Sequence, residues 1–108
     1  MSSSDCPQVF QLGLQHERDL VRLLLDLDPA SRASRFNCVA DDVYLLRHAR
    51  KAIATGTWLA GIFVEQRLRG LVEVYDIGHA GCVETAFLVE QNWRRQGLGM
   101  ALLKAAMQ

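Results

Sequence analysis

The run Trp93-Arg94-Arg95-Gln96-Gly97-Leu98-Gly99 constrains this chain more tightly than any other stretch. Cys82–Val89 before it reads as a buried strand, and Glu90–Asn92 as a short polar link. After it, Leu98, Ala101, Leu102 and Ala105 recur at i, i+3, i+4 and i+7, the one-sided apolar spacing of a helix packed on a sheet. The helix is predicted to begin near Gly97. Two glycines at a helix start let something large and polar reach the backbone, because a side chain there would hold it off. The first N–H groups of a helix lack internal partners and carry the positive end of its dipole. Phosphate is the natural occupant. Arg94 and Arg95 add charge and fork-shaped donors suited to phosphate oxygens.

Spacing chooses among phosphate motifs. A dinucleotide fingerprint needs a small residue three positions after the second glycine, where this chain has Leu102. A P-loop needs Gly, four residues, then Gly-Lys-Ser/Thr, and no such run occurs. What remains is Arg94, two residues, Gly97, one residue, Gly99, preceded by a strand ending Phe87-Leu88-Val89. This resembles the acyl-coenzyme A signature of the GNAT superfamily, the acyl-CoA-dependent N-acyltransferases, whose pattern is Gln/Arg-x-x-Gly-x-Gly/Ala. The resemblance covers roughly Val9 to Gln108 and is strongest over Glu84 to Met107.

A chain of 108 residues is one domain at most and buries roughly 65% of its unfolded surface. Lys plus Arg equals Asp plus Glu at 12 each, so no overall field recruits nucleic acid or an anionic membrane. An anion site must be local. Cys6, Cys38 and Cys82 are widely spaced, odd in number and form no CxxC pair, which argues against a disulfide framework or a metal site and fits a reducing cytoplasm. Met1–Asp5 lacks the layout of a secretory signal, and no apolar run approaches a membrane span.

In chain order, residues 1–7 are expected to be disordered and residues 8–108 to form an incomplete GNAT-like, acyl-CoA-binding domain. Val9–Leu14 suits a first strand. Glu17–Leu27 suits a helix with Leu20, Leu23, Leu24 and Leu27 on one side. Asp28-Pro29 ends it, and Pro29–Asn37 reads as a basic loop over the acceptor side, its arginines hinting at an acidic substrate or merely at solubility. Asp41 caps a second helix along which Val43, Leu46, Ala49 or Arg50, and Ile53 repeat, and Gly56 closes it. Trp58–Val64 and Leu68–Ile77 form a hairpin across Glu65-Gln66-Arg67. Gly78–Gly81 makes the next turn. The expected fold is α/β (α+β), a mixed, mainly antiparallel sheet flanked by helices in the order β-α-α-β-β-β-α, and this matches the opening two-thirds of the GNAT fold as the resemblance implies it.

The resemblance implies an N-acetyltransferase that moves an acetyl group from acetyl-CoA to a primary amine by direct attack, with no metal. The pantetheine arm would pair with the strand edge at Phe87, Leu88 and Val89, with the Leu88 N–H as oxyanion donor. The pyrophosphate would lie over Arg95, Gln96, Gly97, Leu98, Gly99 and Met100, while Arg94 positions the loop or a phosphate. A lysine acceptor has a pKa near 10.4, so a base is needed. Glu84 is the first candidate and shares a strand face with Ala86 and Leu88; the alternative is a solvated strand carboxylate. Glu73 is the second. His48 and His79 are weaker candidates, read as solvent-facing. Cys82, Trp58 and Trp93 are read as packing.

The fifth strand and following helix that the family carries are absent here, and that helix often holds a tyrosine acid. The chain is thus expected to be either part of a longer enzyme or a short protein completed by another molecule, self-associating through the edge of Cys82–Val89 or its last helix. A catalytically incompetent acyl-CoA-binding or interaction module is the alternative function. Nucleic-acid binding through Arg32, Arg35, Arg47, Arg50 and Lys51 is the weakest reading, because neighbouring acids balance these charges. The amine acceptor is not legible.

Overall fold

A computed structural model describes residues 8–36, 39–55, 57–76 and 83–107. The expectations for residues 1–7, Gly56, the turn at 78–81, Cys6, Cys38, Cys82 and His79 lie outside the described residues. Strand β1 (Val9–Gln11) is followed by helices α1 (Glu17–Leu25), α2 (Pro29–Phe36) and α3 (Asp42–Ala54). Strands β2 (Trp58–Val64), β3 (Arg67–Asp76) and β4 (Val83–Val89) come next, then helix α4 (Leu98–Ala106). The sheet order is β1-β2-β3-β4, every pairing antiparallel, so β4 is an edge strand among the described residues. The α/β class and strand order are those the sequence implies, with one additional helix.

That helix is α2, where the sequence suggested a loop. Asp28-Pro29 stops α1, but it also starts α2. The Asp28 carboxylate accepts from the Ser31 N–H at 3.2 Å and from the Ser31 hydroxyl at 2.6 Å, and proline suits a first turn because its missing N–H would be unpaired there anyway. The Ser31 hydroxyl holds the Asp28 carboxyl below its ordinary pKa. Arg32 then folds back onto α1, donating to the carbonyls of Leu25, Leu27 and Ala40 at 2.7, 3.0 and 3.1 Å. The Leu25 carbonyl is one of those a helix end leaves without a partner in the helix. Asp41 caps α3 through the Tyr44 N–H at 2.8 Å, as its sequence suggests. Of the residues expected on the inner face of α3, Ala49 is buried and Ile53 packs against the core, but Val43 is exposed and Leu45 and Ala52 are buried instead.

The sheet has a core on each side. Leu20, Leu23, Leu24, Leu45 and Ala49 of α1 and α3 pack with Leu59, Leu68, Leu71 and Leu88. Leu98 and Leu102 of α4 pack with Ala60, Ile62 and Val72 on the other face. Each fully buried leucine stabilises the fold by about 1.5–3 kcal/mol. Leu68 and Leu71 reach the same side despite odd spacing because the β2–β3 register shifts after Ile62, leaving Arg69 as an extra residue. Glu65 and Gln66 close this hairpin with φ of 55° and 67°, the geometry of a two-residue turn usually taken by Asn-Gly.

Candidate functional site

The loop into α4 is open at its backbone. Trp93 N–H is bonded to Glu90 and Arg94 N–H to Gln91, and the first helical bond is Ala101 N–H to Gly97. Between them the amides of Arg95, Gln96, Gly97, Leu98, Gly99 and Met100 have no acceptor among the described residues. Arg95 (φ 64°) and Gly97 (φ 82°) are left-handed, and backbone that alternates in hand forms anion-binding concavities. A Cβ added at Gly97 or Gly99 would meet nothing within 4 Å, so the space over both is free for a ligand. The turn is braced from below by Arg69. Its guanidinium donates to Glu90 Oε1 at 2.7 Å and lies 4.9 Å from the Trp93 ring, while its carbonyl takes the Glu90 N–H at 2.9 Å.

That last bond decides how β4 presents its backbone. Arg69 and Glu90 continue the register Gly70↔Val89, Leu71↔Leu88, Val72↔Phe87. Bonded pairs alternate in an antiparallel ladder, so Leu88 and Ala86 turn their N–H and C=O towards β3, while Thr85, Phe87 and Val89 turn theirs to the open edge. The Val89 carbonyl indeed accepts from Arg94 Nε at 3.0 Å. Leu88 is therefore not the edge donor expected from the sequence. Its amide faces β3 and its side chain is buried in the core. Phe87 and Val89 hold the outward amides.

Beside this edge runs a groove of about 840 Å³, with α2 as its other wall. Ser31, Ser34 and Arg35 face Glu84, Thr85, Phe87 and Val89 across it. Arg94 spans it, bonding the Val89 carbonyl with Nε and the Ser31 hydroxyl with Nη2 at 3.1 Å. Arg94 thus positions the loop against both walls. Glu84 is exposed, lies opposite Tyr75 and makes no ion pair among the described residues.

Glu73 sits differently. It is 1% exposed on β3, paired with Arg35 of α2 and bonded through Oε1 to His48 Nε2 of α3 at 2.8 Å. The Tyr75 hydroxyl lies 2.9 Å from His48 Nε2 and accepts from Arg35 Nη2 at 3.0 Å. Burial alone would raise the Glu73 carboxyl, but the His48 hydrogen bond and the Arg35 charge outweigh it and hold the pKa below its ordinary value. Burial, then the Glu73 charge, pushes the Tyr75 hydroxyl up, keeping it protonated. Burial works against the charged form of Arg35, yet the Glu73 carboxylate more than restores it. A carboxylate saturated in this way is a poor proton acceptor, so Glu73 is better suited to hold its neighbours than to serve as a base. His48, expected to face solvent, is drawn into this network with its side chain 20% exposed.

The structure brings Glu84, the Phe87–Val89 edge and Arg94 to one groove and places the Arg95–Met100 loop at the end of that edge. Sequence reasoning missed Tyr75, the anchoring of Arg35 and the bracing by Arg69. None of the three had a local signal. Among the described residues no cluster of three or more His, Cys, Asp or Glu could hold a metal, and no helix is long and apolar enough to cross a membrane.

Comparison with known proteins names the class. The family model described as the acetyltransferase (GNAT) family matches residues 20–108, and the chain belongs to that family. Its fold is similar to the GNAT domain of PAT from S. lividans, with TM-score 0.73 and 18% identity, the match covering 91% of this chain and 61% of that domain. It is also similar to the ribosomal-protein-alanine N-acetyltransferase of Brucella melitensis biovar Abortus 2308, with TM-score 0.65 and 20% identity over 95% of this chain and 71% of that one. A third similar structure is the aminoglycoside N-acetyltransferase AAC(6')-Iy in complex with CoA, with TM-score 0.63 and 12% identity over 99% of this chain and 71% of that one. The chain thus spans less than two thirds of the S. lividans domain's length. No curated protein sequence matches it.

Proposed function

We propose that the chain is an acetyl-CoA-dependent N-acetyltransferase acting on a primary amine. The observation that carries this reading is the row of unpaired amides from Arg95 to Met100, continuous with the outward backbone of Phe87 and Val89. The loop amides would hold the pyrophosphate, and the two strand residues the pantetheine arm. Gly97 and Gly99 fit such a ligand because neither position is filled by protein. The complex of AAC(6')-Iy with CoA supports the reading by analogy of fold.

Bound acetyl-CoA supplies the acetyl group as a thioester. The Phe87 N–H is aimed at the groove, where it can donate to the thioester oxygen as negative charge develops there. Glu84 takes a proton from the acceptor's ammonium, freeing the nitrogen lone pair for attack on the thioester carbon. The C–N bond forms, the C–S bond breaks, and the second nitrogen proton goes to the departing thiolate. Leu88 contributes by packing, holding β4 against the core.

Calorimetric titration of acetyl-CoA tests the site. The wild-type chain is expected to bind, and the Gly99→Glu variant to fold normally but not bind. Retained binding in the folded variant would falsify the assignment.

A further inference from the structure

We infer that the acceptor is an aminocarboxylate, its carboxylate held by Arg35 and its ammonium by Glu84. The inference rests on the acetyltransferase reading above and names its substrate class. Arg35 lines the groove and is fixed from behind. Its Nη2 is committed to the buried Glu73 and to the Tyr75 hydroxyl. Its Nη1 has no acceptor among the described residues, and its Nε is buried without a partner. A guanidinium whose Nη2 is anchored and whose Nη1 is free can still donate from Nη1 to a carboxylate, a charge-assisted hydrogen bond.

The opposite sign lies close by. Glu84 lines the same groove, is unpaired among the described residues and sits on β4 opposite Tyr75, the residue whose hydroxyl holds Arg35. The two other charged groups of the groove are occupied: Asp28 caps Ser31, and Arg94 ties Val89 to Ser31. One free cationic edge and one free carboxylate on the same groove complement a zwitterion. A phosphate-bearing amine fits less well, because its second negative charge would meet Glu84 and no further unpaired cation among the described residues of the groove. Glu73, His48 and Tyr75 are then positioning residues, acting on the acceptor through Arg35.

The test titrates glycine, 4-aminobutyrate and glutamate, each beside its carboxamide, into the chain saturated with CoA. The acids are expected to bind about tenfold more tightly than the amides, the usual consequence of losing one charge-assisted hydrogen bond. In Arg35→Gln the ratio of acid to amide affinity is expected to fall to about one, whereas a merely structural role would lower both affinities and keep the ratio. The double variant Arg35→Gln with Glu73→Gln leaves no unpaired buried charge and gives the same result if the single variant does not fold. Equal binding of acid and amide by the wild-type chain, or a preference that survives in the folded double variant, overturns the inference. Failure of CoA itself to bind overturns the acetyltransferase reading and this inference with it; bound CoA without an acid preference overturns the inference alone.

Discussion

Two polar regions of this molecule, one around Glu73 on β3 and one in the loop that follows β4, are built on opposite rules. Around Glu73, a buried charge is met by Arg35 of α2 and His48 of α3, and the Tyr75 hydroxyl of the same strand bonds both of those partners. Around Gly97, a run of backbone donors meets nothing, and the surface above it is open. Burial explains the difference. A charge out of water survives only if it is paired, whereas an exposed amide can wait on solvent until a ligand replaces it. The saturated region therefore holds elements together, and the unsaturated one is left to bind. Arg35 and Arg94 belong partly to both, each anchored at one end and facing the groove.

This contrast can be broken by substitutions on either side. The largest effect is expected from Glu73→Ala, which leaves Arg35 without its counter-charge; urea unfolding should show a loss of about 3–5 kcal/mol, the range for breaking a buried pair from one side. A loss under about 1 kcal/mol would mean the network is not structural. Next is Gly99→Glu, expected to weaken acetyl-CoA binding at least about 100-fold by putting a negative side chain where phosphate should lie, while changing stability by no more than about 0.5 kcal/mol. Gly97→Glu should bind as poorly but also destabilise, because φ there is 82°. Arg94→Ala removes the tie between loop, strand edge and α2, and is expected to cost about three- to tenfold in acetyl-CoA affinity, the worth of one net hydrogen bond. Equal affinity by calorimetry would show that the loop holds its shape without the tie.

The smallest effect is in pH. Glu73 is held below its ordinary value of 4.5 in the folded chain, so folding favours its charged form. Its contribution to stability is full above that value and declines as pH falls through it towards the folded pKa. Denaturant midpoints measured from pH 7 down to about pH 3 should fall more steeply for the wild-type chain than for Glu73→Gln. Parallel curves would assign the acid sensitivity to other carboxylates.

Much of the loop region was legible because its signals are local. The spacing Arg94, Gly97, Gly99 and the repeat Leu98, Leu102 lie within a few residues, and the structure puts the helix start at Gly97 and both leucines in the core. Asp28-Pro29 was misread because one dipeptide ends a helix and begins another, and only the Ser31 contacts decide between loop and helix. On β4, alternation sorted the side chains by face, but whether the amide of Phe87 or of Leu88 reaches the open edge depends on which pairs of the β3–β4 ladder are bonded. No property of β4 alone carries that information. Arg35, His48, Glu73 and Tyr75 come from α2, α3 and β3, and a polar residue that will be buried by distant elements looks like any solvated one until the chain closes around it.

By itself, the order of residues determined a sheet-and-helix domain with a glycine-bearing helix start that leaves amides unpaired, since periodicity and backbone freedom are properties of neighbours. Only the tertiary structure decided which strand amides face outward, that Glu73 is a buried anchor rather than a base, and that Arg35 and Glu84 share a groove. Those outcomes depend on pairing register and on burial by residues far apart in the chain, and both come into being only when the elements pack.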